Sequence, residues 1–303
     1  MSSEEKKNPG YSIRMKLLNL SREIKTDYNY LVLQYAQERF LYRLSQSKYV
    51  NNFILKGALL LYSSNISSYR QTKDIDFLGK GISNEEENIK PIFADMASVK
   101  SKDGIIFIKD KITSERIAEA KEYDGVRISL PFELDTIRSV LTIDVGFGDV
   151  LYIKPSLMDY PTILDMESPK INAYSVETVI AEKFEALVKL NYQTSRMKDF
   201  YDIIFIAENY RINSSDLRIS IEKTFSQRST PLINRNVIFK KEFKNDELKQ
   251  KQWKGFLKRI KSEMKEDFAG AVNQLEAFIE PIFKDSNSKL YWNKVNRKWD
   301  KNG

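Results

Sequence analysis

The 303-residue chain contains no histidine and no cysteine. Without cysteine there is no disulfide framework, no thiolate nucleophile and no zinc–thiolate site. Without histidine the commonest general base and the commonest transition-metal ligand are gone. Any chemistry must rest on carboxylates, lysine, arginine, tyrosine, hydroxyls or a bound ion, and oxygen-rich sites favour hard cations such as magnesium. Long hydrophobic runs are also missing. No stretch approaches the roughly 18 apolar residues that cross a bilayer. The first residues, MSSEEKKNPGYS, are polar and of mixed charge, unlike a secretory leader. These absences lead to the expectation of a cytoplasmic chain with no membrane partner.

What is present is a hydrophobic fraction of 42%, enough for a real core. The net charge of +7 is compatible with a polyanionic partner, RNA or DNA, and equally with solvated lysine-rich helix faces. Residues 12–48 carry apolar positions at helical spacing, with Asp27 placed to begin a second helix. Residues 50–56 read as a strand, 58–63 as a helix and 74–78 as a strand, and Ser83 is a plausible cap for a helix that follows. Strand-like runs recur at 105–109, 125–132 and 138–146. From about residue 156 the character turns helical: 175–192 with Ser175 as N-cap, then 199–210, 244–267 and 268–284. The pattern predicts an α+β fold, with a mixed-sheet N-terminal lobe flanked by helices over residues 1–165 and an all-α lobe over 166–303.

The stretch 55–78, LKGALLLYSSNISSYRQTKDIDFL, holds the chemistry. On a strand Asp74 and Asp76 share one face while Ile75 and Phe77 face the core. Two like charges about 7 Å apart are tolerated readily when a cation lies between them. The plain alternative is a solvated strand end with two incidental aspartates. Asp144, in LTIDVGFG, is a third acid among apolar neighbours and needs a partner. If its strand lies beside 74–78, three acids face one ion. Lys56 ends a strand and Gly57 follows, a step where backbone N–H groups can meet an anion or where the chain simply turns.

These segments resemble the AbiEii/AbiGii toxin family of type IV toxin–antitoxin and abortive-infection systems, related to the MenT toxins, within the DNA-polymerase-β-like nucleotidyltransferase superfamily. The resemblance is carried by KGALLL at 56–61, RQTKDIDF at 70–77, IDVGFG at 143–148, AEKFEAL at 181–187 and RMKDFYD at 196–202. One departure is Ala58, where the superfamily has serine and this family often glycine or serine. Ala58 offers no hydroxyl to a phosphate, although its N–H can still donate.

The resemblance implies transfer of NMP from an NTP, with Mg2+ or Mn2+ as cofactor and an RNA acceptor, the tRNA 3′ end in related toxins, so that translation stops. It implies metal ligands at Asp74, Asp76 and Asp144, with Asp144 also placed to activate the acceptor hydroxyl. Lys183, otherwise a helix-surface lysine flanked by Glu182 and Glu185, then reaches the nucleotide phosphates across a cleft. Asp199 orients Lys183 or the acceptor, with Arg196, Lys198 and Asp202 nearby; the bland reading of these acids is a favourable helix start. Lys56, Gly57 and Ala58 join the nucleotide-binding set, and Arg70 and Thr72 either contact phosphate or brace the loop. The family also implies an antitoxin that acts without binding the toxin. Two alternatives stay open: a protein or small-molecule acceptor, and a non-catalytic RNA-binding module. The aromatic and basic run 288–303 either stacks on bases or docks the last helix.

Overall fold

The computed structural model describes residues 8–62, 70–119, 123–284 and 289–301. The chain forms two compact units, one of residues 1–66, 71–149 and 156–173, the other of 67–70, 150–155 and 174–303.

The first unit opens with α1 (Pro9–Glu23), whose first N–H groups are accepted by the Asn8 side chain, and α2 (Tyr28–Ser45), capped by Asp27 through the Tyr30 N–H. Then come β1 (Phe53–Lys56), α3 (Gly57–Tyr62), β2 (Asp74–Gly79), α4 (Glu86–Ala97), β3 (Ile105–Phe107), β4 (Thr113–Glu119), β5 (Tyr123–Leu134), β6 (Ile137–Gly146), β7 (Ser156–Asp159) and β8 (Lys170–Ala173). The strands form one mixed sheet in the order β3-β5-β6-β2-β1-β8-β7, with β4 also on β5. β2 runs parallel to β6 and antiparallel to β1, and β5 is antiparallel to β6.

Alternation gives this sheet two chemistries. Leu55, Ile75, Phe77, Ile128, Ile143 and Val145 are wholly buried on one face. Phe77 meets Phe53, Phe53 meets Phe93 of α4, and Phe93 stacks on Phe40 of α2, so one aromatic chain ties the helices to the sheet. The opposite face carries the acids and is polar around them, with Ile54 and Leu78 buried on it further along.

In this unit three details differ from the pattern read in the sequence. α4 begins at Glu86 with Glu85 at its cap, because Ser83 accepts the Glu85 N–H in a local turn. β4 was not expected at all. β7 and β8 lie where the sequence turns helical in character; they are four-residue strands, too short for alternation to show.

The second unit holds α5 (Val176–Leu190), α6 (Met197–Asn209), α7 (Ser214–Gln227), α8 (Lys241–Lys244), α9 (Glu247–Ile260), α10 (Phe268–Ile279) and α11 (Pro281–Lys284). Ser175 caps α5 through the Thr178 N–H, as its position suggests. The run 244–267 is not one helix. Asp246 caps α9 through the Lys249 N–H, and the helix stops at Lys261, which takes the left-handed conformation. The unit is also not purely helical, since β9 (Tyr291–Asn293) and β10 (Lys298–Asp300) form a hairpin. Its Trp292 and Trp299 pack on Phe278 of α10, and the Trp299 indole donates to the Phe278 carbonyl at 2.8 Å. These two aromatics dock the hairpin rather than stand ready for bases.

One buried acid couples this fold to pH. Glu38 of α2 is 1% exposed; the Gln34 amide donates to it at 3.2 Å and the Ile163 N–H at 3.1 Å. Burial pushes its carboxyl up to about 8, against the pull of the Ile163 N–H, Arg39 and Gln34. The folded state therefore holds a proton that the unfolded chain releases above about 4.5. The contribution of Glu38 is complete below that pH and is lost as pH rises through about 8. Glu38→Gln should flatten this decline and raise the urea midpoint above that of wild type at pH 9, with little change at pH 5.

Candidate active site

The acids stand on the polar face through register alone. Lys56 of β1 lies abreast of Asp76 of β2, Asp76 abreast of Asp144 of β6, Asp144 abreast of Arg127 of β5, and Arg127 abreast of Glu115 of β4. Residues paired in register share a face, so one row of charges crosses five strands. Asp74 is on the same face one step along, beside Thr142. Asp74, Asp76 and Asp144 are thus brought together on neighbouring strands, and β6 does lie beside β2.

Asp144 has a partner on the neighbouring strand β5. Arg127 Nε and Nη2 each donate to one Asp144 oxygen at 2.8 Å. This hydrogen-bonded carboxylate, with Asp74 also near, holds the guanidinium above its ordinary pKa despite partial burial. Arg127 escaped sequence reading because a lone arginine in an apolar-flanked strand carries no signal; only register reveals its partner.

Gly57 has a structural reason of its own. Its φ is +70°, and a Cβ there would lie 2.1 Å from Asp76 Oδ2. The glycine is what lets the Asp76 carboxylate lie against the backbone. Lys56 Nζ reaches Asp149 Oδ2 at 3.1 Å, and a Cβ at Gly146 would lie 3.2 Å from that nitrogen. The glycine of IDVG therefore makes room for the lysine of KGAL. Ala58 is buried. Thr72 is buried too, and its hydroxyl lies 3.5 Å from the Asp74 carbonyl while Gln37 donates to the Lys73 carbonyl at 2.9 Å.

A second cluster lies in the helical unit. Lys183 Nζ of α5 donates to Asp199 Oδ1 at 2.8 Å and Asp202 Oδ2 at 2.7 Å, both on α6. Arg70 grips Asp202 in a fork of 2.7 and 2.8 Å, and Arg196 pairs with Asp199. Both carboxylates are wholly buried. Burial opposes their charge, but Lys183 with Arg196 outweighs it at Asp199, and Lys183 with Arg70 outweighs it at Asp202, holding both below the usual carboxylate range. Burial likewise opposes the Lys183 charge, and the two carboxylates overcome it and raise its pKa. Lys183, Arg70, Arg196, Asp199 and Asp202 thus form one network, whereas Lys198 is exposed.

Among the described residues no group of three or more acidic side chains forms a metal cage. Two carboxylates on one strand face nevertheless suit Mg2+, which keeps its waters and is held by one or two carboxylates together with substrate phosphates. Asp74 and Asp76 fit that pattern. No helix among the described residues is long and apolar enough to cross a membrane.

The model of the AbiEii family, described as nucleotidyl transferase AbiEii toxin of type IV toxin–antitoxin systems, matches residues 39–275. The chain belongs to the AbiEii family. All the clusters above fall inside the span of that match. No curated protein matches this AbiEii member. Two solved structures from Helicobacter pylori are similar in part. One is described as a nucleotidyltransferase by assignment, with TM-score 0.44, 17% identity and coverage of 84% of this chain and 94% of its own. The other is JHP933, with TM-score 0.43, 16% identity and coverage of 84% and 91%.

Two measurements check the geometry of this AbiEii member. Gly57→Ala should lower stability by about 1–2 kcal/mol from the left-handed backbone alone, with more from the collision with Asp76, as read by urea unfolding. Lys183→Ala should cost about 3–5 kcal/mol, since it strips a shared cation from two buried carboxylates. That loss should deepen as pH rises from 2 to 5 and the carboxylates ionise.

Proposed function

We propose that this AbiEii member transfers a nucleotidyl group from an NTP to an RNA hydroxyl, that of the tRNA 3′ end, and so blocks translation. The acceptor hydroxyl gives its proton to Asp144 as its oxygen bonds the α-phosphorus, the bond from that phosphorus to the α–β bridging oxygen breaks, and pyrophosphate leaves with the electron pair. The observation that carries this reading is the placement of Asp74 and Asp76 on the polar face of the sheet, with Asp144 abreast of Asp76.

Asp74 and Asp76 are the residues that would hold Mg2+ or Mn2+. Such an ion, when bound, supplies charge neutralisation at the triphosphate. The core packing of Ile75 and Phe77 fixes the direction of both acids. Asp144 adds an oriented negative charge beside them, the group assigned to the acceptor hydroxyl. Lys183 is assigned to the nucleotide phosphates. The net charge of +7 favours a nucleic-acid acceptor over a protein. We read the antitoxin that the family implies as acting without docking on this chain, in the cytoplasm.

The test is to incubate the protein with each α-labelled NTP, Mg2+ and either total RNA or total protein. Label should enter a tRNA-sized band. Asp74→Asn and Asp76→Asn should each lower that transfer by roughly a hundredfold or more, as loss of several kcal/mol of charge stabilisation dictates, with unfolding midpoints near wild type. Label entering protein instead would replace the acceptor, and full transfer by both variants would remove the site.

A further inference from the structure

Arg127 lies on β5, outside the segments that carry the family resemblance, and it holds Asp144 with only part of its donor set. The Nε–H and one Nη2–H form the side-on fork to the two Asp144 oxygens. A guanidinium has five N–H donors in one plane. Of the other three, two point out along the Nη1–Nη2 edge and one lies on the Cδ side, and planarity turns that edge away from Asp144. The Arg127 side chain is 38% exposed, whereas Lys56, the other cation of the row, is 13% exposed and bound to Asp149. Of the two cations in this row, Arg127 is therefore the one more open to solvent.

The charge of the face sets what that edge meets. Asp74, Asp76, Asp144 and Glu115 all lie on it. A polyphosphate approaching them is repelled unless cations face it. The Nη1–Nη2 edge has the fork geometry that takes two phosphate oxygens, and Asp144 holds its plane in advance, so little freedom is lost on binding.

We propose that Arg127 binds a phosphate oxyanion of the substrate through its Nη1–Nη2 edge, with Asp144 as its positioning residue. The proposal rests on the nucleotidyl-transfer reading and adds to it a substrate-binding residue. The phosphate is either that of the triphosphate or that of the RNA backbone, and the two are separable.

Binding of inorganic tripolyphosphate, of each NTP and of total tRNA is measured across a KCl series for wild type, R127Q, R127K and D144N. R127Q should weaken the phosphate ligand it contacts by roughly tenfold to a hundredfold. R127K keeps the charge and the partner of Asp144 but loses the fork, and should weaken binding by a smaller factor. If tRNA is the ligand, the log–log salt slope of R127Q should fall by about 1. D144N keeps the guanidinium and should leave that slope unchanged while affinity falls a few-fold, a split that a merely structural role would not produce. Loss confined to tripolyphosphate and NTP assigns the triphosphate, and loss confined to tRNA assigns the backbone. Wild-type affinity and slope in both R127Q and R127K for all three probes overturns the proposal. A wild-type protein that binds no NTP and transfers no label instead removes the underlying reading.

Discussion

Negative charge at close quarters is the constraint that the sheet unit is built around. Asp76 and Asp144 stand abreast on neighbouring strands, where backbones are about 4.8 Å apart. Their repulsion is met from outside the pair, by Lys56 on one flank and Arg127 on the other. The glycines follow from this arrangement. Gly57 leaves space for the Asp76 carboxylate and Gly146 leaves space for the Lys56 side chain. Motifs far apart in the chain are thus two sides of one packing problem.

The helical unit solves the opposite problem. Asp199 and Asp202 are wholly buried, so their charges survive only with full pairing. Lys183 serves both, and Arg196 and Arg70 each complete one. A network of this kind contributes little net stability, yet losing one member leaves a charge unpaired and is expensive. It also fixes where Lys183 stands. A lysine held at two points by carboxylates has one defined position, which a flexible surface lysine does not, so Lys183 is no helix-surface lysine.

Alternation made the strands around the acids legible. DIDFL and LTIDVG show their two faces in the sequence, and the buried Ile75, Phe77, Ile143 and Val145 follow from period two. Asp27 and Ser175 mark helix starts because capping is a local matter. What stayed hidden depended on pairing between distant segments. Arg127 finds Asp144 only through the β5–β6 register, and Asp149 finds Lys56 across 93 positions. The four-residue strands β7 and β8 are too short to alternate visibly. The break between α9 and α10 comes from a left-handed lysine, a residue with no such preference to read.

The departure at Ala58 takes on a definite meaning in this frame. Position 58 is 6% exposed, so a serine there would bring its hydroxyl into a largely enclosed place and need a partner. Alanine removes that requirement along with the hydroxyl. The residue that the acid row demands is Gly57, where any side chain meets the Asp76 carboxylate. The two halves of the step are therefore separable: the glycine belongs to the geometry of the acids, while the following residue adjusts only what a ligand could be offered. A chain that keeps Gly57 and gives up the hydroxyl at 58 retains the charged row intact, with Arg127 the more open of its two cations.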